Sequence, residues 1–144
     1  MRTVSDILRS KGGAVYSVKS TDTVLDALGV MAKHDIGAVV VQDGDKLVGI
    51  VTERDYARKV VLAGRSSKDS QIKDIMTTQV ICVSPERSVE ECMGLMTDKR
   101  CRHLPVLDHK QVVGLVSIGD LVKATIAEQE FTILQLQSYI AGYA

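Results

Sequence analysis

The chain has 144 residues, of which 45% are hydrophobic and 25% are charged, a composition typical of a folded globular protein. Its 18 Lys and Arg residues balance 18 Asp and Glu residues, so no overall positive charge attracts nucleic acid or an anionic membrane. No apolar run approaches the roughly 18 residues of a membrane span. We therefore expect neither a nucleic-acid partner nor a membrane partner.

The cysteines and the first residues favour a cytoplasmic protein. The residues after Met1 lack the apolar segment of a signal peptide. Cys82, Cys92 and Cys101 are odd in number and have no Cys-x-x-Cys spacing, so we expect no disulfide framework. Cys101 and His103 alone are too few ligands for a metal site, and small buried cysteines are the simpler interpretation.

An internal repeat organises the chain. Residues 15–59 align without a gap on residues 80–124, and eleven of these 45 pairs are identical. Matching lead-ins, Asp6–Leu8 and Asp74–Met76, precede the two copies. We therefore predict four segments, namely repeat 1 at 1–62, a polar linker at 63–71, repeat 2 at 72–124 and a C-terminal helical extension at 125–144.

Each copy predicts the order strand, helix, strand, strand, helix. In repeat 1 the β-forming run Val15–Val18 is the first strand, and Thr23 begins an amphipathic helix. Ala38–Val41 and Leu47–Val51 predict an antiparallel hairpin around Asp43-Gly44. Because one such unit is too small to bury both faces of its sheet, we expect the two copies to pack together.

Repeat 2 predicts the same order of elements, but its middle strand contains a proline. Val80–Val83 predicts its first strand, and Ser88 begins its first helix. Pro105 lies within the middle strand and cannot donate a hydrogen bond to a sheet. We therefore expect this strand at an edge, or its amide position beside a groove.

A stripe of residues after Leu121 predicts a long amphipathic helix. Its members are spaced alternately by four and three positions, as in a coiled coil. Either this face packs on its own domain or it pairs with a second chain, since a stripe this apolar is rarely left in water. The members are Val122, Ile126, Gln129, Ile133, Leu136, Ile140 and Tyr143.

The same motif ends the last strand of each repeat. Thr52 with Asp55, and Ser117 with Asp120, place a hydroxyl and a carboxylate at the start of a helix. A capping box explains this spacing without any ligand. The alternative is a polar ligand bound at the helix N-terminus, where free amides favour a phosphate and a carboxylate suits a ribose diol.

The two copies differ in nearby charge. Repeat 2 has Arg102-His103 where repeat 1 has Gly37-Ala38, and repeat 1 has Arg54 where repeat 2 has Gly119. Arginine can bind a phosphate through two hydrogen bonds. We therefore expect two related clefts that bind unequally, with Arg54 and Arg58 either near the first cleft or simply solvated.

These motifs resemble a known family. The segments Gly49–Asp55, Arg102–Val106 and Gly114–Asp120 look like those of a tandem pair of CBS domains, a Bateman module. The resemblance implies an α/β (α+β) fold of two β-α-β-β-α repeats packed with pseudo-twofold symmetry, plus a C-terminal helix. It also implies a homodimer, and a regulatory sensor that binds AMP, ADP, ATP, NAD or S-adenosylmethionine between its repeats.

The resemblance also assigns roles to residues. Asp55 and Asp120 match ribose-binding aspartates, and Thr52 and Ser117 match the hydroxyls beside them. Arg102 and His103 match phosphate-binding residues of the Asp55 cleft. The positions around the base are matched by Tyr16, Ile36 and Gly37.

Two functions remain open at this point. The first is a stand-alone sensor of an adenosine nucleotide, with AMP, ATP and NAD as the preferred candidates. It would act on an unidentified regulated partner and would have no catalysis or cofactor of its own. The second is a structural or dimerisation adaptor whose clefts have degenerated. We do not expect an enzyme, because no nucleophile with a base and no phosphate-binding glycine loop is evident.

Overall fold

The computed structural model describes residues 2–142, which form two similar α/β units and a long terminal helix. The expected fold class is confirmed. A π-helical turn at Ala57–Val61 extends α3, and a 3-10 turn at Ile72–Asp74 opens the second unit. The helices and strands are α1 Val4–Lys11, β1 Ser17–Val18, α2 Val24–His34, β2 Ala38–Asp43, β3 Lys46–Thr52, α3 Glu53–Tyr56, α4 Val89–Lys99, β4 His103–Asp108, β5 Gln111–Ser117 and α5 Ile118–Ile140.

The predicted helix starts are confirmed. Thr23 caps α2 and Ser88 caps α4, and each hydroxyl accepts a hydrogen bond from the amide three residues later. The side chains of Asp26 and Glu91 return a bond to the cap residue, which completes a capping box in each helix. Of the helices in residues 2–142, none is long and apolar enough to cross a bilayer.

The hairpins also form as expected. β2 pairs antiparallel with β3, and Val40 lies opposite Ile50. β4 pairs antiparallel with β5, and Pro105 lies opposite Leu115. β1 adds to the first hairpin in parallel, so the first sheet has the order β1-β2-β3 and the second has β4-β5.

The first strand of each repeat is shorter than predicted. Val15–Val18 is a strand only at Ser17–Val18, and Val80–Val83 makes one parallel bridge, between Val83 and Val106. Pro105 explains the second result. Its carbonyl accepts a hydrogen bond from the Val83 amide at 3.0 Å. Without an N–H of its own it cannot donate the next bond, towards the start of this segment.

The segment that precedes each repeat packs into the core of the other repeat. Val4 and Ile7 of α1 are buried in the core of repeat 2, against Leu104 and Val116 of its hairpin. Ile72 and Ile75, by contrast, are buried in the core of repeat 1. This reciprocal exchange gives both units an equivalent lead-in and holds them together, as the pseudo-twofold arrangement requires.

In each hairpin a glycine lets the lead-in segment pack very close to the strand. A Cβ atom at Gly49 would lie 2.7 Å from the Met76 sulfur and 2.9 Å from the Thr77 carbonyl oxygen. A Cβ atom at Gly114 would lie 2.5 Å from the Leu8 side chain. The two backbone hydrogen bonds between Ile50 and Thr77, 3.0 Å and 2.9 Å long, need the same close approach.

The terminal helix is continuous with repeat 2. Ser117 caps α5, which runs without a break for 23 residues from Ile118. Val122, Ile126, Ile133, Leu136 and Ile140 are between 42% and 83% exposed. This apolar stripe therefore does not pack on its own domain. Tyr143, its last predicted member, lies outside the described residues.

We predict that Gly49→Ala destabilises the fold by about 1–3 kcal/mol, because the new methyl group meets a backbone oxygen that cannot move independently. Gly29→Ala is the matched control. It lies on the exposed face of α2 with nothing near its Cβ position. It should stabilise the protein by roughly 0.5–1 kcal/mol. Urea unfolding of both variants checks this, and equal free energies of unfolding would contradict it.

Candidate ligand cleft between the repeats

A cavity of about 460 Å³ lies where the two repeats meet. Repeat 1 contributes the residue before β2, β3 and the start of α3, and repeat 2 contributes the residues from the end of α4 to the start of β4 and those after the 3-10 turn. The lining residues are Gly37, Ile50, Thr52, Glu53, Arg54, Asp55, Thr77, Gln79, Val80, Ile81, Lys99, Arg100, Cys101, Arg102 and His103.

Thr52 and Asp55 form a complete capping box at the edge of this cavity. The Asp55 amide donates to the Thr52 hydroxyl at 3.1 Å, and the Thr52 amide donates to the Asp55 Oδ2 atom at 3.0 Å. β3 ends at Thr52 because its hydroxyl satisfies the free amide of the next helix turn. The simpler interpretation of the motif, a cap, is therefore realised in the structure.

The Asp55 carboxylate has further partners. It is only 7% exposed. Lys59, one turn along the helix, lies 3.0 Å from Oδ1. The Thr77 hydroxyl is 3.3 Å from Oδ1 and 3.5 Å from Oδ2, which makes it the weakest of these contacts. Lys59 is not among the lining residues of the cavity, so it neutralises the carboxylate from outside the cavity.

The cavity lining is rich in cations. Four basic side chains face two carboxylates, those of Glu53 and Asp55, and Arg54 donates to the Arg100 carbonyl at 3.0 Å. Clustered guanidinium and ammonium groups are typical of phosphate recognition. The basic residues are Arg54, Lys99, Arg100 and Arg102.

His103 adds a group whose charge is held low. Burial lowers its pKa, and the charges of Lys11, Arg102 and Arg54 lower it further, although Asp120 acts in the opposite direction. The imidazole therefore favours its neutral form near pH 7, in which one nitrogen donates and the other accepts a hydrogen bond. It lies 3.5 Å from the position that a Cβ atom at Gly37 would take.

The remaining wall is apolar. Ile50, Val80, Ile81 and Cys101 line it. Flat aromatic ligands bind well to such surfaces, because an apolar wall needs no hydrogen bonds when water leaves. The cavity thus combines an apolar wall, a carboxylate and a group of cations.

The structure brings together five of the nine predicted site residues. Thr52, Asp55, Gly37, Arg102 and His103 all line the cavity. The other four are not in its lining, and they are Tyr16, Ile36, Ser117 and Asp120.

Tyr16 and Ile36 correspond by the repeat to two residues that do line the cavity, Ile81 and Cys101. Tyr16 itself stacks on His34, with ring centroids 3.6 Å apart and an interplanar angle of 15°. The repeat alignment could have identified Ile81 and Cys101, by moving both predicted base contacts to the other copy. Lys99 and Arg100 were not predicted as site residues, because they lie at the end of a helix and belong to no motif.

The second motif has a different environment. The Ser117 amide donates to Asp120 Oδ2 at 2.8 Å, and the Asp120 amide donates to the Ser117 hydroxyl at 3.2 Å, which again makes a capping box. The Lys11 ammonium also donates to Asp120 Oδ2 at 2.8 Å and to the Leu115 carbonyl at 2.9 Å. No sequence motif indicated this contact.

The electrostatics of Asp120 reflect these partners. Burial acts to raise the pKa of its carboxyl, but the hydrogen bonds from Lys11 and Ser117 and the charge of Lys11 lower it more. The net effect is a pKa below the ordinary value, so the group is a carboxylate at pH 7. Within residues 2–142 there is no group of three or more His, Cys, Asp or Glu side chains placed to hold a metal ion.

Comparison with known proteins identifies the family. The chain matches the CBS domain over residues 3–62 and 72–127. It is 46% identical over 149 residues to CBS domain-containing protein CBSX3, a mitochondrial protein of Arabidopsis thaliana, which covers 97% of this chain and 72% of that protein. The structure of a protein with CBS domains from Burkholderia ambifaria is 54% identical, with a TM-score of 0.85 over 89% of this chain and 96% of that one.

Two more distant structures are informative, one for its bound ligands and one for its oligomeric state. The CBS domain pair of protein MJ0100, in complex with 5′-methylthioadenosine and S-adenosyl-L-methionine, is 28% identical, with a TM-score of 0.78 over 89% of this chain and 98% of that one. The hexameric CBS-CP12 protein from bloom-forming cyanobacteria is 28% identical, with a TM-score of 0.75 over 85% of this chain and 70% of that one. The resemblance found in the sequence is thus confirmed, and the chain belongs to the CBS-domain family as a tandem pair of CBS domains.

Proposed function

We propose that this protein is a regulatory sensor that binds one adenosine-containing nucleotide in the Asp55 cleft, without catalysis of its own. One observation carries the proposal. A single cavity is lined at once by a buried carboxylate, Asp55, and by the cations of the other repeat, including Arg102. A ligand that reaches both must bridge the two repeats, which is how a small molecule can change the state of a paired module.

The ribose fits at Asp55. A carboxylate has about four acceptor positions and can accept from two adjacent hydroxyls. The long contact with the Thr77 hydroxyl, at 3.3 Å and 3.5 Å, is the one that a ribose hydroxyl would replace at least cost. The base would then lie on the apolar wall formed by Ile81 and Cys101.

The phosphate fits at the basic end. Arg102 is exposed and free to turn towards a phosphate, and Arg54 and Lys99 line the same cavity. This excess of positive charge favours AMP, ATP or NAD over a cationic sulfonium ligand. The distant pair that binds S-adenosyl-L-methionine therefore supports the adenosine part of the proposal more than the choice of substituent.

A second function has its own support. Both aspartates already form capping boxes, so each has a structural role without any ligand. The exposed apolar stripe of α5 offers a surface for a second chain. A dimerisation adaptor with degenerate clefts is therefore the alternative, and measurements of ligand binding decide between the two.

We also propose a cytoplasmic location for this chain. Cys82, Cys92 and Cys101 are all free, which suits a reducing compartment. The Arabidopsis relative is a mitochondrial protein, so a mitochondrial location is the competing possibility.

We predict that Asp55→Asn weakens AMP binding about tenfold or more, because each charge-assisted hydrogen bond to a desolvated ligand contributes roughly 1.5–3 kcal/mol. Asparagine keeps one acceptor for the cap, so the fold should persist. Asp120→Asn is the matched control, and it should change the dissociation constant less than about twofold. Calorimetric titration measures all three proteins. Equal losses in the two variants would contradict the assignment of the ribose to Asp55.

We predict that Arg102→Ala weakens AMP binding but leaves adenosine binding nearly unchanged, because its proposed partner is the phosphate. Arg58→Ala is the charge-matched control, since this exposed arginine does not line the cavity. It should affect neither ligand. An effect of Arg102→Ala on adenosine as large as that on AMP would contradict the prediction.

We predict a homodimer that uses the stripe of α5, because these residues would otherwise expose a continuous apolar face. Light scattering at micromolar concentration should report twice the chain mass of 15.7 kDa. Ile133→Glu with Leu136→Glu should give monomers, and Gln135→Glu, one position off the stripe, should not. A monomeric or hexameric wild-type protein would contradict this assignment.

A further inference from the structure

The carboxylate of the second cleft is bound by the protein itself. Lys11 Nζ lies 2.8 Å from Asp120 Oδ2 and 2.9 Å from the Leu115 carbonyl oxygen. These two groups are more than a hundred residues away from Lys11 in sequence. Both are acceptors, so the ammonium satisfies two groups that would otherwise need another donor.

The repeat shows which part of the cleft Lys11 fills. Asp120 and Leu115 correspond to Asp55 and Ile50, and both of those line the Asp55 cavity. Lys11 itself corresponds, through the two lead-ins, to Gln79, which also lines that cavity. The Lys11 ammonium therefore lies on the side of Asp120 that corresponds to the cavity side of Asp55.

The helix that carries Lys11 is firmly anchored. Val4 is fully buried and its amide donates to the Arg87 carbonyl at 2.8 Å. Leu8 fits against Gly114, where a Cβ atom would lie 2.5 Å from it. α1 ends at Lys11, since Gly12 has a φ of 94°. The lysine is thus presented to Asp120 by a packed helix rather than by a free tail.

The two carboxylates obtain their counter-charge from different directions. A largely buried carboxylate needs a positive partner or strong hydrogen bonds. Asp55 has Lys59 on its own helix, at 3.0 Å and outside the cavity. Repeat 2 has Ala124 at the position of Lys59. Asp120 therefore lacks that partner and is paired with Lys11 from across the cleft.

The rest of the second cleft has lost its cations. Gly37 and Ala38 replace the pair that gives the first cleft Arg102 and His103. Asp35 replaces Arg100, and Gly119 replaces Arg54. A phosphate would find no cluster of arginines there, so the carboxylate of Asp120 is the charged group that this cleft offers to a ligand.

We propose that Lys11 is a tethered occupant of the second cleft, and that it restricts each chain to one adenosine site, at Asp55. The Lys11 ammonium takes Asp120 Oδ2 and the Leu115 carbonyl oxygen, and a ligand that uses either acceptor must displace it. This inference rests on the proposed function, in that it specifies which of two related clefts is open. Lys11 lies in the lead-in, outside the part of the repeat that aligns.

The test counts adenosine sites by calorimetric titration. Adenosine is the probe because the second cleft lacks basic residues for a phosphate. Wild-type protein should bind one adenosine per chain and Lys11→Met should bind two. Lys11→Arg, which keeps the positive charge, should bind one, and adding Asp120→Asn to Lys11→Met should return the count to one. Two sites in the wild type, or one site in both the wild type and Lys11→Met, would overturn the inference.

The same experiment separates this inference from the proposed function. If the wild type binds no adenosine but Lys11→Met binds one, and Asp120→Asn removes that site, the proposed function fails and the role of Lys11 stands. If neither protein binds adenosine, both fail.

A second readout needs no ligand. NMR titration of the Asp120 carboxyl carbon should give a higher pKa in Lys11→Met, because the hydrogen bond and the charge that lower it are gone. Lys11→Arg should keep the pKa close to that of the wild type. An unchanged pKa in Lys11→Met would show that the contact does not form in solution, and this would overturn the inference.

Discussion

A reciprocal pair of hydrogen bonds fixes where every α-helix in residues 2–142 begins: the cap hydroxyl accepts from the amide three residues later, and the carboxylate of that residue accepts from the cap amide. Thr3, Thr23, Thr52, Ser88 and Ser117 all take part in such a capping box. Each box satisfies amides that would otherwise be unpaired and places a negative charge at the positive end of the helix. Because the device occurs five times, its presence alone does not indicate a ligand site. What distinguishes Thr52 and Ser117 is that each directly follows a strand at the boundary between the repeats.

The exchanged lead-ins give that boundary its shape. Gly49 lets the backbone at Thr77 approach its hairpin more closely than a side chain would permit, and Gly114 leaves room for the Leu8 side chain. At Gly49 this brings Thr77 within hydrogen-bonding distance of Asp55, although 22 residues separate them. The same packing against Gly114 positions the end of α1 beside Asp120. The packing of a lead-in against a hairpin glycine therefore places the Thr77 hydroxyl at long range from Asp55 in the first cleft. In the second cleft it places the Lys11 ammonium at short range from Asp120.

The sequence was most informative where the governing interactions are local or repeated. Thr52 and Asp55 are three residues apart, so their cap followed from spacing, and the repeat alignment predicted both hairpins. Where a distant residue decides the outcome, the prediction failed or was absent. Pro105 shortened the pairing of Val80–Val83 from the neighbouring strand. Lys11 reaches Asp120 across 109 positions, and no periodicity contains that information. Arg100 lines the cavity just after the end of α4, where the chain turns with a φ of 52°, and no motif marks that turn.

The two clefts show how the counter-ions of a duplicated unit can differ although its carboxylates are kept. Both carboxylates keep their cap and both need positive charge nearby, since neither is freely solvated. In repeat 1 that charge comes from Lys59, within the same helix and outside the cavity, so no cation lies between Asp55 and the cavity. In repeat 2 the equivalent residue is Ala124, and the charge arrives from α1 through the space that a ligand would need. A tethered group competes at a high effective concentration, so even a modest ion pair can exclude a ligand that binds weakly. In our proposal, the distribution of two lysines, rather than any change in the aspartates, determines which cleft is available.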